Sequence, residues 1–95
     1  MSERIENIAK AVEASAKCPA THLESAVVVE TFRGQTMWEG VVEIFALLGH
    51  AKAKRAFGWQ TGKGAEASYT AVLEIPPVDS ANTAVRASIV SAAKK

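Results

Sequence analysis

Carboxylates spaced along two neighbouring segments are the residues of this chain that could do chemistry. Glu39 and Glu43 lie four residues apart in MWEGVVEIF, and Glu30 precedes them in VVVETF. Paired carboxylates can transfer protons or hold a metal ion. The two histidines, His22 and His50, are expected at the surface, and no nucleophile converges on the glutamates. We therefore expect no catalytic residue, metal or cofactor, and a small-ligand or enzyme-like site lined by Glu39, Glu43 and His22 is the first alternative function.

A second pattern combines positive charge with aromatic rings. Lys52, Lys54 and Arg55 are followed by Phe57 and Trp59, and proteins that bind single-stranded nucleic acid use a basic groove with stacking rings. In a strand, however, the pleat points Lys52 and Lys54 away from the two rings. The formal net charge is only +1, whereas such binding needs a clustered basic surface. Weak single-stranded nucleic-acid binding through Lys52, Lys54 and Arg55 is therefore the second alternative, and nucleic acid is not an expected partner.

The totals are those of one small globular domain. The chain has 95 residues, of which 48% are hydrophobic and 22% are charged, and these fractions are typical of folded soluble proteins. We expect a single α+β domain over residues 1–95. The one cysteine, Cys18, excludes an internal disulfide, and the charged start MSERIENIAK is unlike a signal peptide. No apolar stretch is long enough to cross a membrane, so we predict a cytoplasmic location and no membrane partner.

Periodicity predicts two helices and four strands. Ile8 and Val12 fall on an apolar stripe at helical spacing, and the β-branched run from Val27 to Val29 favours a strand. Ser2 and Asp79 are the predicted helix caps, because their side chains can accept free backbone N–H groups. The predicted elements are helices over Ser2 to Lys17 and Asp79 to Ala93, and strands over Thr21 to Phe32, Met37 to Leu48, Ala51 to Gln60 and Glu66 to Ile75.

The stretch from Thr36 to Trp59 decides the fold, because it can be read as one long helix or as two strands. Gly40 and Gly49 would each cost about 1 kcal/mol inside a helix. The valine and isoleucine residues of this stretch also favour a strand. We therefore predict a hairpin with a tight turn at Gly49-His50, which places Val42 opposite Phe57.

The preceding turn is predicted over Arg33 to Thr36. It pairs Val27 with Val42, so both turns place Val27, Val42 and Phe57 on one face of the sheet. It also sets Glu30 opposite Glu39, which is unfavourable. Either both carboxylates are well solvated, or they bind a cation, or the turn is one residue longer. The predicted fold is α+β with the order α-β-β-β-β-α, a four-stranded antiparallel meander with both helices on the face of Val27.

The opposite face of this predicted sheet has no helix left to cover it. It is half apolar, and an exposed apolar patch of this kind is unusual for a monomer. We therefore predict a non-catalytic binding or protein-interaction module that is a homodimer through the open face, with a small ligand as a further possible partner. The candidate ligand or interface residues on that face are His22, Glu30, Phe32, Met37, Glu39, Val41, Glu43, Phe45, Leu47, Lys52 and Lys54.

Two segments of the chain carry a resemblance. These are ETFRGQTMWEGVVEIFALLGHAKAKRAFGW, from Glu30 to Trp59, and VLEIPPVDSANTAVRASI, from Val72 to Ile89. Their pattern of a glycine turn, an early tryptophan and a GH-A-K-R segment resembles small bacterial proteins of unassigned function, of the kind carried on mobile gene cassettes. The resemblance covers about half of the chain, and it implies the domain boundaries but no activity.

Overall fold

The computed structural model describes residues 3–62, 64–76 and 78–93. The four strands form one antiparallel sheet in the order β1-β2-β3-β4. The predicted α+β class, the element order and the four-stranded meander are therefore confirmed. The elements are α1 (Glu3–Ala16), β1 (Ala20–Phe32), β2 (Gln35–Leu47), β3 (Arg55–Thr61), a single 3₁₀ turn (Gly64–Glu66), β4 (Ser68–Leu73) and α2 (Ala81–Ala93).

Local chemistry explains where α1 ends and where α2 begins. Lys17 closes α1 in the left-handed region with φ 60°, and its N–H donates to the Glu13 carbonyl oxygen at 2.7 Å. The predicted cap Ser2 lies outside the described residues. At α2 the predicted cap Asp79 is wrong. The residue before the helix is Ser80, whose Oγ accepts the Thr83 N–H at 3.3 Å, while Thr83 Oγ1 accepts the Ser80 N–H at 2.9 Å, which is a reciprocal capping box.

The hairpin of β1 and β2 differs from the prediction in its turn. Arg33 and Gly34 alone form the turn, with φ 53° and 78°, the geometry that favours a two-residue hairpin connection. The register then shifts between Glu30 and Thr31, and Met37 is the additional residue on β2, so Glu30 lies opposite Trp38. The predicted pairing of Glu30 with Glu39 is therefore wrong, because the turn is shorter and β2 carries a bulge.

This register reverses the two faces of β1 from Glu24 onward. Val28 lies opposite Gly40 and is buried, whereas Val27 lies opposite Val41 and is exposed. A shift by one residue moves every side chain of a strand to the other face. The predicted burial of Val27 is therefore wrong.

The connection between β2 and β3 is a loop over residues 48–54 and not the predicted tight turn. The His50 side chain organises this loop, because its Nδ1 accepts the backbone N–H groups of Lys52 at 3.0 Å and Ala53 at 2.9 Å. Ile44 lies opposite Phe57, two residues from the predicted register. A shift by two preserves the faces of both strands, so the predicted faces of β2 and β3 hold.

The two helices cover opposite faces of the sheet. Ile44 and Phe57 pack with α2, whereas Phe45 and Ala56, their neighbours along the same strands, pack with α1. The prediction that both helices lie on one face is wrong. Both faces of β2 and β3 are apolar at this end of the sheet, and each therefore needs its own covering layer. We call the two sides the helix-1 face and the helix-2 face.

Candidate functional site

Glu43 lies in a polar cluster beneath α1, and its side chain is only 1% exposed. Arg4 Nη1 donates to Glu43 Oε2 at 2.9 Å. On the other carboxylate oxygen, Oε1, the Ser25 hydroxyl donates a short hydrogen bond and His22 Nε2 lies at 2.8 Å. Because an ionised carboxylate can only accept, His22 carries a proton on Nε2. The Glu43 carboxylate is therefore fully engaged by three side chains.

A bulge in β1 assembles this cluster. His22 lies opposite Phe45 and Glu24 lies opposite Ile44, so Leu23 is an additional residue between them. Residues three apart in a regular strand point to opposite faces. The bulge removes this mismatch, and both His22 and Ser25 reach the helix-1 face. The His22 ring also meets the Phe45 ring edge-on at 5.4 Å between centroids.

The Glu43 cluster holds charge and is not arranged for nucleophilic catalysis. Burial raises the pKa of Glu43, but the hydrogen bonds from Ser25, His22 and Arg4 together outweigh it and lower the pKa below the ordinary 4.5. The Ser25 hydroxyl donates to the carboxylate and not to the imidazole, and a carboxylate whose pKa is lowered is a weak base for activating a hydroxyl. Within the described part of the chain, no three His, Cys, Asp or Glu side chains form a group that could hold a metal ion.

Glu30 is bound on the other side of the sheet. Arg86 Nε donates to Glu30 Oε1 at 2.6 Å, and Asn82 Nδ2 donates to Oε2 at 3.1 Å. The hydrogen bond from Arg86, followed by that from Asn82, lowers the pKa of Glu30. Glu30 and Glu43 are thus separated by the sheet, and each joins one helix to it. Glu39 stays exposed on the helix-1 face, beside a recess of about 440 Å³ that Arg4 also lines.

Part of the predicted open face is closed by α1. Phe45 is fully buried and Leu47 is 9% exposed, both packed with Ile8 and Val12 of the helix. Their predicted availability to a partner is therefore wrong. The physical reason is that α1 covers the helix-1 face of β3, β4 and the adjoining end of β2, where the sequence analysis placed no helix.

The free end of the β1–β2 hairpin remains open. Val27 is 76% exposed, and its cross-strand partner Val41 is also exposed. Phe32 is 61% exposed and Met37 is 53% exposed, both beside the Arg33-Gly34 turn. Val27 and Val41 lie on the helix-1 face, whereas Phe32 and Met37 line the side toward α2, so the exposed apolar residues wrap around the free end of the hairpin. Clusters of exposed apolar residues mark interaction sites. We define the hairpin patch as Val27, Val29, Phe32, Met37 and Val41.

A groove of about 420 Å³ lies between the hairpin and α2. The bound pair of Glu30 and Arg86 forms its polar side, and the Arg86 side chain is 64% exposed. The other side is apolar, with residues from both elements. The groove is therefore continuous with the hairpin patch on the helix-2 face. Its lining residues are Glu30, Thr31, Phe32, Met37, Arg86, Ile89 and Val90.

The basic residues predicted for nucleic acid are divided between two environments. Lys52 and Lys54 are exposed in the loop after β2, and not on β3 as predicted. Arg55 is engaged, because its Nε donates to Glu74 Oε2 at 3.0 Å, and this hydrogen bond raises the pKa of Arg55. Its guanidinium also lies 5.6 Å from the centre of the Phe57 ring. Two exposed lysines and one paired arginine therefore share this end of the sheet.

Several residues of these sites were missed by the sequence analysis. Ser25, Arg4 and Arg86 were not singled out, because only the folded sheet brings them to Glu43 and Glu30. Val27 was placed in the core. One signal was available in the Arg33-Gly34 pair. Two residues that end in glycine, between two segments of alternating side chains, indicate a tight hairpin. This reading would have shortened the turn predicted over Arg33 to Thr36.

The chain was compared with protein-family models, with curated proteins and with solved structures, and no match was found in any of the three. The resemblance to small bacterial proteins therefore stays a prediction. Among the described residues, no helix combines the length and the apolar character needed to span a membrane.

Proposed function

We propose that this protein is a non-catalytic interaction module that forms a homodimer through the hairpin patch. The observation that carries the proposal is the exposure of Val27, at 76%, opposite the exposed Val41. Fully burying a valine side chain contributes roughly 1.5–3 kcal/mol. Covering this pair with a second protein surface would therefore contribute to association.

A second copy of the chain is the partner that the composition of the patch supports. Most soluble oligomers are symmetric, and a two-fold contact needs a surface that complements itself. The hairpin patch is apolar at its centre, while Arg33 at the turn and Glu39 opposite Val29 provide charges of both signs at its margin. Such a margin can pair with itself across a two-fold axis. We place the dimer in the cytoplasm, which is supported by the unpaired Cys18.

A small-ligand site is the second candidate, and the groove beside α2 favours it. The groove has a volume of about 420 Å³, which lies within the usual size of small-molecule sites. It includes Glu30, one of the predicted carboxylates. Glu43, by contrast, is buried and held by its three partners, so the ligand would contact the groove and not Glu43.

Light scattering on chromatographed protein at several concentrations tests the homodimer. We expect twice the chain mass of 10.1 kDa, approached as the protein concentration rises. Val27→Glu should give a monomer with an unchanged circular dichroism spectrum, because it places a charge at the centre of the hairpin patch.

Leu48→Glu is the matched control for this substitution. Leu48 is 63% exposed, but it follows β2 at the end of the sheet away from the Arg33-Gly34 turn. The same apolar-to-charged change at Leu48 should leave the dimer intact. A parent protein of single-chain mass at every concentration, or equal loss of the dimer in both variants, would contradict the proposal.

A further inference from the structure

We propose that two copies join through their β1 strands, paired antiparallel edge to edge about a two-fold axis at Val28. The inference rests on the proposed homodimer and specifies how the second copy binds. It predicts a continuous eight-stranded sheet across the dimer, in which Val27 of each copy contacts Val29 of the other.

The free edge of β1 is suited to accept another strand. β1 is an edge strand of 13 residues, whereas β4 at the opposite edge has six. Natural edge strands are protected by lysine, proline, bulges or short length. Between Ala20 and Phe32 there is no lysine, arginine, proline or glycine. The pairing with β2 is also regular from Glu24 to Glu30. The outer edge of β1, which faces away from β2, therefore presents a regular row of backbone groups over the same span.

Symmetry limits the possible registers to a few. A two-fold axis perpendicular to the sheet keeps each face of β1 on the same side in both copies, so residues that lie opposite each other must share a face. Because side chains alternate along a strand, this requires the axis to pass at a residue and not between two residues. An axis at Val27 would place Glu24 opposite Glu30 of the second copy, and directly opposed like charges are destabilising. An axis at Val29 would pair fewer residues before the Arg33-Gly34 turn is reached. An axis at Val28 avoids both faults.

The register at Val28 also brings opposite charges together. It sets Glu24 opposite Phe32 of the second copy. The Arg33 guanidinium lies over the Phe32 ring, 5.2 Å from its centre, and therefore comes beside Glu24 of the other copy. Symmetry produces this pair of Glu24 and Arg33 twice. The register places Glu30 opposite Ala26, and Arg86 already neutralises Glu30 within its own copy.

Both faces of the joined sheet gain contact in this arrangement. On the helix-2 face, α2 packs chiefly on β1, so joining the two β1 strands makes the two α2 helices neighbours. Each α2 carries the exposed Val90. On the helix-1 face, Val27 and Val29 of both copies form one apolar row. The β1 valines of the two hairpin patches are thereby placed side by side, while Val41 on β2 lies one strand away from the shared edge.

Cysteine cross-linking tests the register. In a Cys18→Ser background, Val27→Cys and Val29→Cys proteins are prepared separately, mixed and oxidised. Directly opposite residues in an antiparallel pair have Cα atoms about 4.5–5.5 Å apart, which a disulfide can bridge, whereas diagonal neighbours are about 7–8 Å apart. We expect the mixture to form a disulfide-linked dimer that contains one copy of each variant, and each variant alone to stay largely uncross-linked.

The other outcomes separate this inference from the homodimer itself. Rapid cross-linking of the Val27→Cys protein alone would place the axis at Val27 and overturn the register. A dimer by light scattering that forms no cross-link in the mixture would overturn edge pairing while leaving the homodimer standing. A parent protein that is monomeric at every concentration would overturn both.

Exchanging the charges of Glu24 and Arg33 tests the register independently, through the dissociation constant of the dimer. Glu24→Lys and Arg33→Asp should each raise the dimer dissociation constant by about tenfold, because each places like charges together twice. Aspartate is chosen because it tolerates the positive φ at Arg33. The double variant should return to within about twofold of the parent, since the charges are again opposite. A double variant no tighter than the single ones would overturn the contact of Glu24 with Arg33.

Discussion

At the scale of single residues, Glu43 shows how a charge is kept beneath a helix. Its carboxylate accepts hydrogen bonds from two elements, through Arg4 of α1 and through His22 and Ser25 of β1. A buried charge costs much free energy unless it is paired and hydrogen-bonded. In the described part of the structure, every fully buried side-chain nitrogen and oxygen has a hydrogen-bond partner. Removing the charge of Glu43 therefore leaves the groups that donate to it without their acceptor.

We predict that Glu43→Gln lowers the free energy of unfolding by about 3 kcal/mol at neutral pH. The amide replaces one of the two oxygens with an NH2 group, so either Arg4 on Oε2, or Ser25 and His22 on Oε1, lose their acceptor. Urea denaturation followed by tryptophan fluorescence measures the loss. Glu39→Gln is the matched control on the same strand and face, and it should change stability by less than about 0.5 kcal/mol. Equal losses in the two variants would contradict the structural role of Glu43.

The pH dependence of stability has a defined sign at Glu43. Its pKa in the folded chain is below the ordinary 4.5, so the unfolded chain binds a proton first as the pH falls. The stability from this carboxylate is therefore fully present above about pH 4.5 and is lost as the pH falls through the folded value. We predict that the difference in stability between the parent and Glu43→Gln narrows between neutral pH and about pH 3. A difference that stays constant would contradict the lowered pKa.

At this scale, counting along the sequence shows which residues share a face of a strand only where the alternation of side chains is unbroken. Glu39, Val41 and Glu43 were correctly placed on one face, because β2 is regular between them. His22 was also placed on that face, and it lies there beside Glu43. Ser25 was placed on the opposite face, because counting along β1 does not reveal the additional residue Leu23. Nothing in the types of these residues reveals where an additional residue enters a strand.

At the scale of elements, the contact of α1 with β3 depends on Gly58. A Cβ atom at Gly58 would lie 2.6 Å from Ile8 Cγ2 and 3.0 Å from Val12 Cγ2. The missing side chain allows the helix to approach the sheet closely. The same glycine lies opposite Glu43 on β2, so a helix lifted from Gly58 would also move away from the buried carboxylate.

We predict that Gly58→Ala lowers the free energy of unfolding by about 2 kcal/mol, because the added methyl group overpacks the core beneath α1. Combining it with Ile8→Ala removes the closest clashing atom. The double variant should therefore lose less stability than the sum of the two single losses, as a double-mutant cycle in urea denaturation would measure. Additive losses would contradict a direct contact between Gly58 and Ile8.

The elements themselves were largely predictable from the sequence, and their relative placement was not. β2 and β3 kept their predicted faces because their observed register differs from the predicted one by two residues, an even number. β1 was reversed because a shorter turn and the bulge at Met37 together made an odd error. The placement of α1 was a separate error, since Phe45, Leu47 and Ala56 were taken as open surface although α1 covers them.

At the scale of the whole molecule, the distribution of charge bears on nucleic-acid binding. Lys52 and Lys54 are exposed in the loop after β2, while Arg55 is paired with Glu74. We predict at most weak binding of a fluorescently labelled single-stranded oligonucleotide at about 50 mM salt, and its loss at about 200 mM. Anisotropy measures it, and Lys52→Ala with Lys54→Ala should abolish it. Tight binding that persists at the higher salt would contradict the proposed role as a protein-interaction module.

The Arg33-Gly34 turn also has a consequence for the order of events in folding. It joins β1 and β2, which pair along nearly their whole length and are contiguous in sequence from Ala20 to Leu47. Contacts that are local in sequence form early, because little chain entropy is lost in closing them. The hairpin, with the bare outer edge of β1, can therefore exist before α1 and α2 have docked. Encounters between nascent chains would begin at that edge, so refolding yield should depend on protein concentration.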